Sequence, residues 1–146
     1  DDFQRLDTSH AASHGEWLYR QYGITGIRGE AHLGFPSLFH MGYPLFLRVL
    51  AHGGSLNEAG CITLLHYMAE TEDSNLITRS GYETAAKIRR ELKRFLEYAS
   101  YEEQLAVLPR LDDHFVRNHI SPGGSADMLA LTYFLYFTGI LPCRWD

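Results

Sequence analysis

The chain has 146 residues, 13 Lys and Arg against 18 Asp and Glu for a net charge of −5, and 45% hydrophobic with 13% aromatic residues. That length fits one domain with its own core, and the apolar content excludes disorder. The acidic balance argues against a nonspecific nucleic-acid binder and leaves only a local basic face open. Cys61 and Cys143 are too few and too far apart in sequence for a disulfide scaffold or a thiolate metal site, so a cytoplasmic setting is expected. The longest apolar run, residues 128–141, is broken by Thr132, Thr138 and Gly139 and falls short of the ~20 residues of a membrane span, and nothing near Asp1 resembles a signal peptide.

Only three valines stand against twenty leucines, and apolar residues recur at helical spacing, which predicts an all-α fold. A first helix is expected over residues 8–22, capped by Thr8 or Ser9 and stopped at Gly23. A glycine-rich loop, residues 23–36, should follow. Phe35-Pro36-Ser37 then opens a helix carrying Leu38, Met41, Leu45 and Leu50, which Pro44 kinks or restarts and Gly53-Gly54 ends. Ser55 and Glu58 have capping-box spacing and start a helix that ends near Glu70. After a polar loop, residues 71–80, the stripe Ala85, Ile88, Leu92, Phe95, Leu96 and Ala99 predicts one long amphipathic helix. Ser100 and Glu103 repeat the capping box ahead of a helix that contains Pro109. The last helix starts with Ser121 as cap and Pro122 at its first position, and is apolar on nearly every side from Met128. The expected architecture is a single domain over 1–146, a compact bundle of about six helices around a buried apolar C-terminal helix.

Three segments carry more chemistry than connectors need. In Gly26-Ile27-Arg28-Gly29-Glu30-Ala31, with Gly34-Phe35-Pro36 behind it, Arg28 and Glu30 would project to one side of an extended chain, a cation for phosphate beside a carboxylate. A surface salt bridge on a tight turn explains the same residues. Asp73-Ser74-Asn75 with Arg79-Ser80-Gly81 places a carboxylate, an amide and a guanidinium in one loop, suited to phosphate or Mg²⁺, or equally to an Asx turn with Thr78 or Ser80 capping the next helix. In Ser121-Pro122-Gly123-Gly124-Ser125-Ala126-Asp127, the first-turn amides of an apolar helix favour an anion, and Asp127 follows one turn deeper as a partner for Mg²⁺ or as a base. Close packing of that helix start, with Asp127 merely favouring the dipole, is the alternative. His10 and His14 lie one turn apart and Asp113-His114 precede His119, but no His-Glu-x-x-His pattern supports zinc. The basic stretch from Lys87 to Arg94 could attract a polyanion or form a solvated face. A Gly-x-Ser-x-Gly elbow and a Walker loop are both missing.

Taken together and in order, these three segments, with Asn118 and Ile120 leading into Ile-Ser-Pro-Gly-Gly-Ser-Ala-Asp-Met-Leu-Ala, resemble the triphosphoribosyl-dephospho-coenzyme A synthase family. The resemblance implies an all-helical enzyme that moves the 5-triphosphoribosyl group of ATP onto the ribose 2′-hydroxyl of 3′-dephospho-coenzyme A and releases adenine. The product is the prosthetic-group precursor of citrate lyase or malonate decarboxylase. Family members carry a further N-terminal half with an Asn-Thr-His-Lys-Gly segment that nothing here matches, so a C-terminal portion of a longer enzyme is expected. The partners are then ATP, 3′-dephospho-coenzyme A and that other half, with no nucleic acid and no membrane, and a homo-oligomer remains open.

Breaking the ribose C1–N9 bond develops positive charge on the sugar, which a carboxylate stabilises while another accepts the hydroxyl proton. Glu30, Asp73 and Asp127 are the catalytic candidates, in roles that could be permuted: Asp73 and Asp127 on Mg²⁺ delivered as Mg-ATP, Glu30 as base. Arg28, Arg79 and the amides of Gly123 and Gly124 are assigned to the triphosphate, and Asn75, Asn118, Ser121 and Ser125 to substrate binding. A non-catalytic helical module docking an acidic carrier protein and a Mg²⁺-dependent nucleotide hydrolase are the competing readings.

Overall fold

Helices form wherever the apolar spacing repeats every three to four residues, and the computed structural model, which describes residues 13–139, is all-α as the spacing predicts. Among the described residues there are eight α-helices and one π-helical turn: α1 (His14–Tyr22), α2 (Gly26–His32), the π turn (Leu38–Gly42) leading into α3 (Tyr43–Ala51), α4 (Leu56–Glu70), α5 (Ser74–Ser80), α6 (Tyr82–Leu96), α7 (Tyr101–Arg117) and α8 (Gly123–Thr138). Both capping boxes form, Ser55 with Glu58 and Ser100 with Glu103. Pro44 sits in the first turn of α3, where its missing N–H costs nothing, so it restarts the helix after the π turn. Pro109 is accommodated inside α7 at an exposed position.

The count exceeds the expected six because two stretches taken for loops are helical. Residues 26–32 form α2 in spite of Gly26 and Gly29, since the helix packs on α8 and Gly26 lies against Ser74, where a larger residue would collide with the serine side chain. Residues 74–80 form α5, for which Asp73 provides the cap. The caps expected for neighbouring helices also move. Ser13 caps α1, whereas Thr8 and Ser9 lie outside the described residues. Neither Thr78 nor Ser80 caps α6; their hydroxyls donate to the Ser74 and Leu76 carbonyls within α5. Pro122 occupies the cap position of α8 rather than its first turn, with no side-chain cap of its own from Ser121.

The centre of the fold is α4 rather than the expected α8. Eight of its fifteen residues are buried, from Ala59 to Ala69, and α3, α6, α7 and α8 all pack on it. Small residues on α4 let neighbours close in: Gly60 lies under the Tyr133 ring of α8, whose hydroxyl donates to the Leu56 carbonyl at 2.9 Å. Helix α8 buries only Gly124, Ser125, Met128, Thr132 and Leu135 as one stripe, while Phe134 and Phe137 are 56% and 69% exposed. Overall hydrophobicity does not distinguish a helix buried all round from one with an uncovered apolar face.

Tyr67 of α4 is fully buried beneath Gly42, and its hydroxyl lies 2.8 Å from Thr132 Oγ1, which spends its own proton on the Met128 carbonyl at 3.0 Å. Tyr67 is therefore the donor. Burial pushes its phenol up to about 12, and the Glu30 charge adds to the rise. Because the folded value lies above the ordinary 10, the contribution is complete below pH 10 and is lost as pH rises toward 12. Unfolding free energies between pH 10 and 12 should fall by one proton's slope more in the native chain than in Tyr67→Phe, roughly 3 kcal/mol across the window; equal slopes would show that the phenol ionises freely in the folded state.

Candidate functional site

Two of the three chemically unusual segments meet at Asp73, and the first packs beside it through Gly26 and Ser74. Its carboxylate is 5% exposed and accepts five hydrogen bonds. Oδ1 takes the Asn75 and Leu76 amides of its own helix at 2.9 and 3.0 Å and the Gly124 amide at 3.1 Å. Oδ2 takes the Ser125 amide at 2.7 Å and the Ser125 hydroxyl at 2.9 Å. One side chain thus caps α5 locally and α8 from about fifty residues away in sequence. The start of α8 does bind an anion, as its unsatisfied amides favour, and that anion is the protein's own carboxylate.

Close glycine contacts bring the remaining pieces in. A Cβ on Gly26, which has φ 55°, would stand 2.8 Å from Ser74 Oγ, and one on Gly123 would stand 2.5 Å from Asn75 Nδ2. Gly124 leaves only 3.1 Å between such an atom and Asp73 Oδ1. The N-terminal ends of α2, α5 and α8 therefore touch through positions where side chains are absent.

Two cavities flank this junction on either side of α2. Helical geometry turns Arg28 and Glu30 about 200° apart, so they do not share a side as an extended chain would have them. Arg28, exposed and without a salt bridge among the described residues, lines an open cavity of about 680 Å³ with Ser74, Asn75 and Tyr19. Glu30 lines a smaller one of about 190 Å³ with Thr25, Asp73, Gly124, Glu70 and Glu72. The Glu30 carboxylate accepts from Ser37 N at 3.1 Å and Ser37 Oγ at 2.5 Å, so no Arg28–Glu30 salt bridge forms. Glu70 and Glu72 escaped sequence reasoning because they read as a helix end and a polar loop; the run Glu70-Thr71-Glu72-Asp73 was the available signal. Both are offset by α6, Lys93 meeting Glu70 at 2.8 Å and Arg89 meeting Glu72 at 3.0 Å.

Four of the expected site residues lie elsewhere. Arg79 and Asn118 line a separate groove between α5, α6 and α7. Ser121 is half-buried in the connection before α8, and Asp127 is exposed on α8; neither lines the cavities beside α2. The expected Mg²⁺ pair does not fit a resident ion: Asp73 already spends both oxygens on five donors, and Asp127 is exposed. No group of three or more His, Cys, Asp or Glu able to hold a metal occurs among the described residues. Of the histidines considered for zinc, His10 and the His14 side chain lie outside the description, as does Cys143.

The geometry defines an all-α domain in which one buried carboxylate joins the starts of α5 and α8, the start of α2 packs beside them, and two cavities of mixed polar and apolar lining flank the junction. A family model described as ATP:dephospho-CoA triphosphoribosyl transferase matches residues 1–141, and the chain belongs to that family. It is 39% identical over 125 residues to the 2-(5''-triphosphoribosyl)-3'-dephosphocoenzyme-A synthase of Klebsiella pneumoniae, covering 84% of this chain and 41% of the relative. Against the probable enzyme of that name from Streptococcus mutans it is 35% identical over 138 residues, covering 94% of this chain and 47% of the relative. The chain thus spans less than half the length of these relatives. No solved structure matches it. No helix among the described residues is long and apolar enough to cross a membrane.

Proposed function

We propose that this chain carries part of the site that transfers the 5-triphosphoribosyl group of ATP to the 2′-hydroxyl of 3′-dephospho-coenzyme A, with adenine leaving. The ribose C1–N9 bond breaks, the hydroxyl oxygen bonds to C1, its proton is taken up, and adenine departs protonated. The product would serve as prosthetic-group precursor for the acyl carrier protein of citrate lyase or malonate decarboxylase. Membership of the family is one support, and the relatives' names specify this product. The observation that carries the reading is that Asp73 joins two of the segments while the third packs on the neighbouring Ser74, beside two cavities that hold Arg28 and Glu30.

In this scheme Asp73 is a positioning residue whose carboxylate holds the starts of α5 and α8 together. Arg28 and Asn75 receive phosphate in the larger cavity, where a guanidinium fork matches phosphate oxygens. Glu30, oriented by Ser37, lines the smaller cavity and is the carboxylate best placed to accept the hydroxyl proton or to face positive charge on the sugar. Mg²⁺ arrives bound to ATP, as part of the substrate.

Chromatography of reactions with ATP, Mg²⁺ and dephospho-coenzyme A, run on the chain within its full-length enzyme, checks this. Adenine and a coupled triphosphoribosyl product should appear in equal amounts, and Arg28→Ala should lower kcat/KM about 100-fold. Phosphate release without adenine would replace transfer by hydrolysis, and unchanged turnover in Arg28→Ala would remove the larger cavity from the reaction.

A further inference from the structure

Helix α6 carries cations on two faces, and the fold neutralises one of them. Arg89 and Lys93 pair with Glu72 and Glu70 at the C-terminal end of α4. Lys87 and Arg90 lie on another face, where they line an open groove of about 960 Å³ together with Arg79 from the last turn of α5 and His114 and Asn118 from the end of α7. Arg79 and Arg90 make no salt bridge among the described residues. Glu83 and Glu91 share the groove, and Glu91 meets Lys87 at 3.8 Å with both side chains about two-thirds exposed, a contact that water and salt screen. Asn118 Nδ2 donates to the His114 carbonyl at 2.7 Å, which fixes the orientation of that amide. The same nitrogen lies 3.2 Å from His114 Nδ1, so Nδ1 accepts and the neutral ring keeps its proton on Nε2 as a further donor.

We infer that this groove binds a phosphorylated small molecule through its phosphates, as an anion subsite separate from the two cavities beside α2. Two guanidinium groups from different helices offer forked donors, the groove has the size of a nucleotide or cofactor site, and Ile88 and Ile120 contribute apolar surface within it. Its occupant rests on the proposed function: the phosphates belong to ATP or to dephospho-coenzyme A. The concave shape favours such a ligand over an acidic protein surface, which a solvated convex helix face would serve.

Calorimetric titration of the 146-residue chain with sodium tripolyphosphate, ATP and 3′-dephospho-coenzyme A tests the groove, with backbone amide shifts recorded alongside. Saturable binding of at least one probe is expected, with shifts at Arg79, Lys87, Arg90 and Asn118. The Arg79→Ala/Arg90→Ala double variant, altered only at exposed positions, should keep its thermal unfolding and weaken that binding at least about tenfold. The nucleotide probe whose affinity falls identifies which substrate supplies the phosphates. Arg28→Ala separates the two claims: if it alone weakens binding, the groove is overturned and the function stands. If neither variant matters, or if the folded chain binds none of the probes, the groove is overturned, and the product assay on the full-length enzyme then judges the function by itself.

Discussion

Replacing Asp73 by alanine is expected to cost the chain on the order of 3–5 kcal/mol, the largest effect of any exchange at the site. The alanine would leave five donors without their acceptor, and those of Gly124 and Ser125 are buried where water does not easily replace it. It would also detach α8 from α5, since no other side chain caps α8. Asp73→Asn should cost less, about 1–2 kcal/mol, because its remaining oxygen keeps three amides while its NH₂ group faces the Ser125 amide and forces the Ser125 hydroxyl to turn and accept. Urea unfolding at constant m-value measures both, and a loss under 1 kcal/mol for the alanine variant would contradict a structural role. If the proposed transfer reaction is assayed, the asparagine variant also distinguishes positioning from metal ligation. A positioning residue leaves the Mg²⁺ midpoint of turnover unchanged, whereas a ligand shifts it.

Gly42→Ala should destabilise by about 3 kcal/mol, or roughly 10 °C in Tm, although alanine is the better helix former. The added methyl would collide with the hydroxyl and the ring edge of Tyr67, which is completely buried and held by Thr132, so the ring has nowhere to turn. Because ring carbons as well as the hydroxyl are in the way, Tyr67→Phe should not rescue the variant. Gly15→Ala is the matching control. It lies inside α1 with nothing nearer than 3.8 Å to an added Cβ, and should stabilise by about 0.5–1 kcal/mol. Thermal unfolding of the two variants should move in opposite directions; a shared direction would mean that propensity, and not packing, governs these glycines.

Determinants that act within one turn were legible from the chain. The capping boxes at Ser55 and Ser100, the amphipathic stripe from Ala85 to Leu96 and the restart at Pro44 depend on residues three or four apart, and all of them form. The three segments that resemble the transferase family could be singled out in the same way, because glycines and polar side chains crowd together in them. Their meeting could not be read locally. In sequence Asp73 reads as a loop carboxylate for phosphate or Mg²⁺ or as part of an Asx turn, and only the packing of α5 against α8 makes it the cap of a helix some fifty positions later.

Tertiary contact likewise decided that residues 26–32 are helical, since packing of α2 on α8 and the close approach of Gly26 to Ser74 outweigh the poor helix propensity of two glycines. It turned Arg28 and Glu30 toward different cavities, and it selected α4 over the more apolar-looking α8 as the central helix. The sequence by itself determined the helical class, the main caps and the segments rich in chemistry, because those depend on short-range spacing. Which carboxylate is spent on the backbone, which cations are neutralised and which remain open to a ligand were decided by side chains brought together across the whole chain, and local spacing carries no record of them.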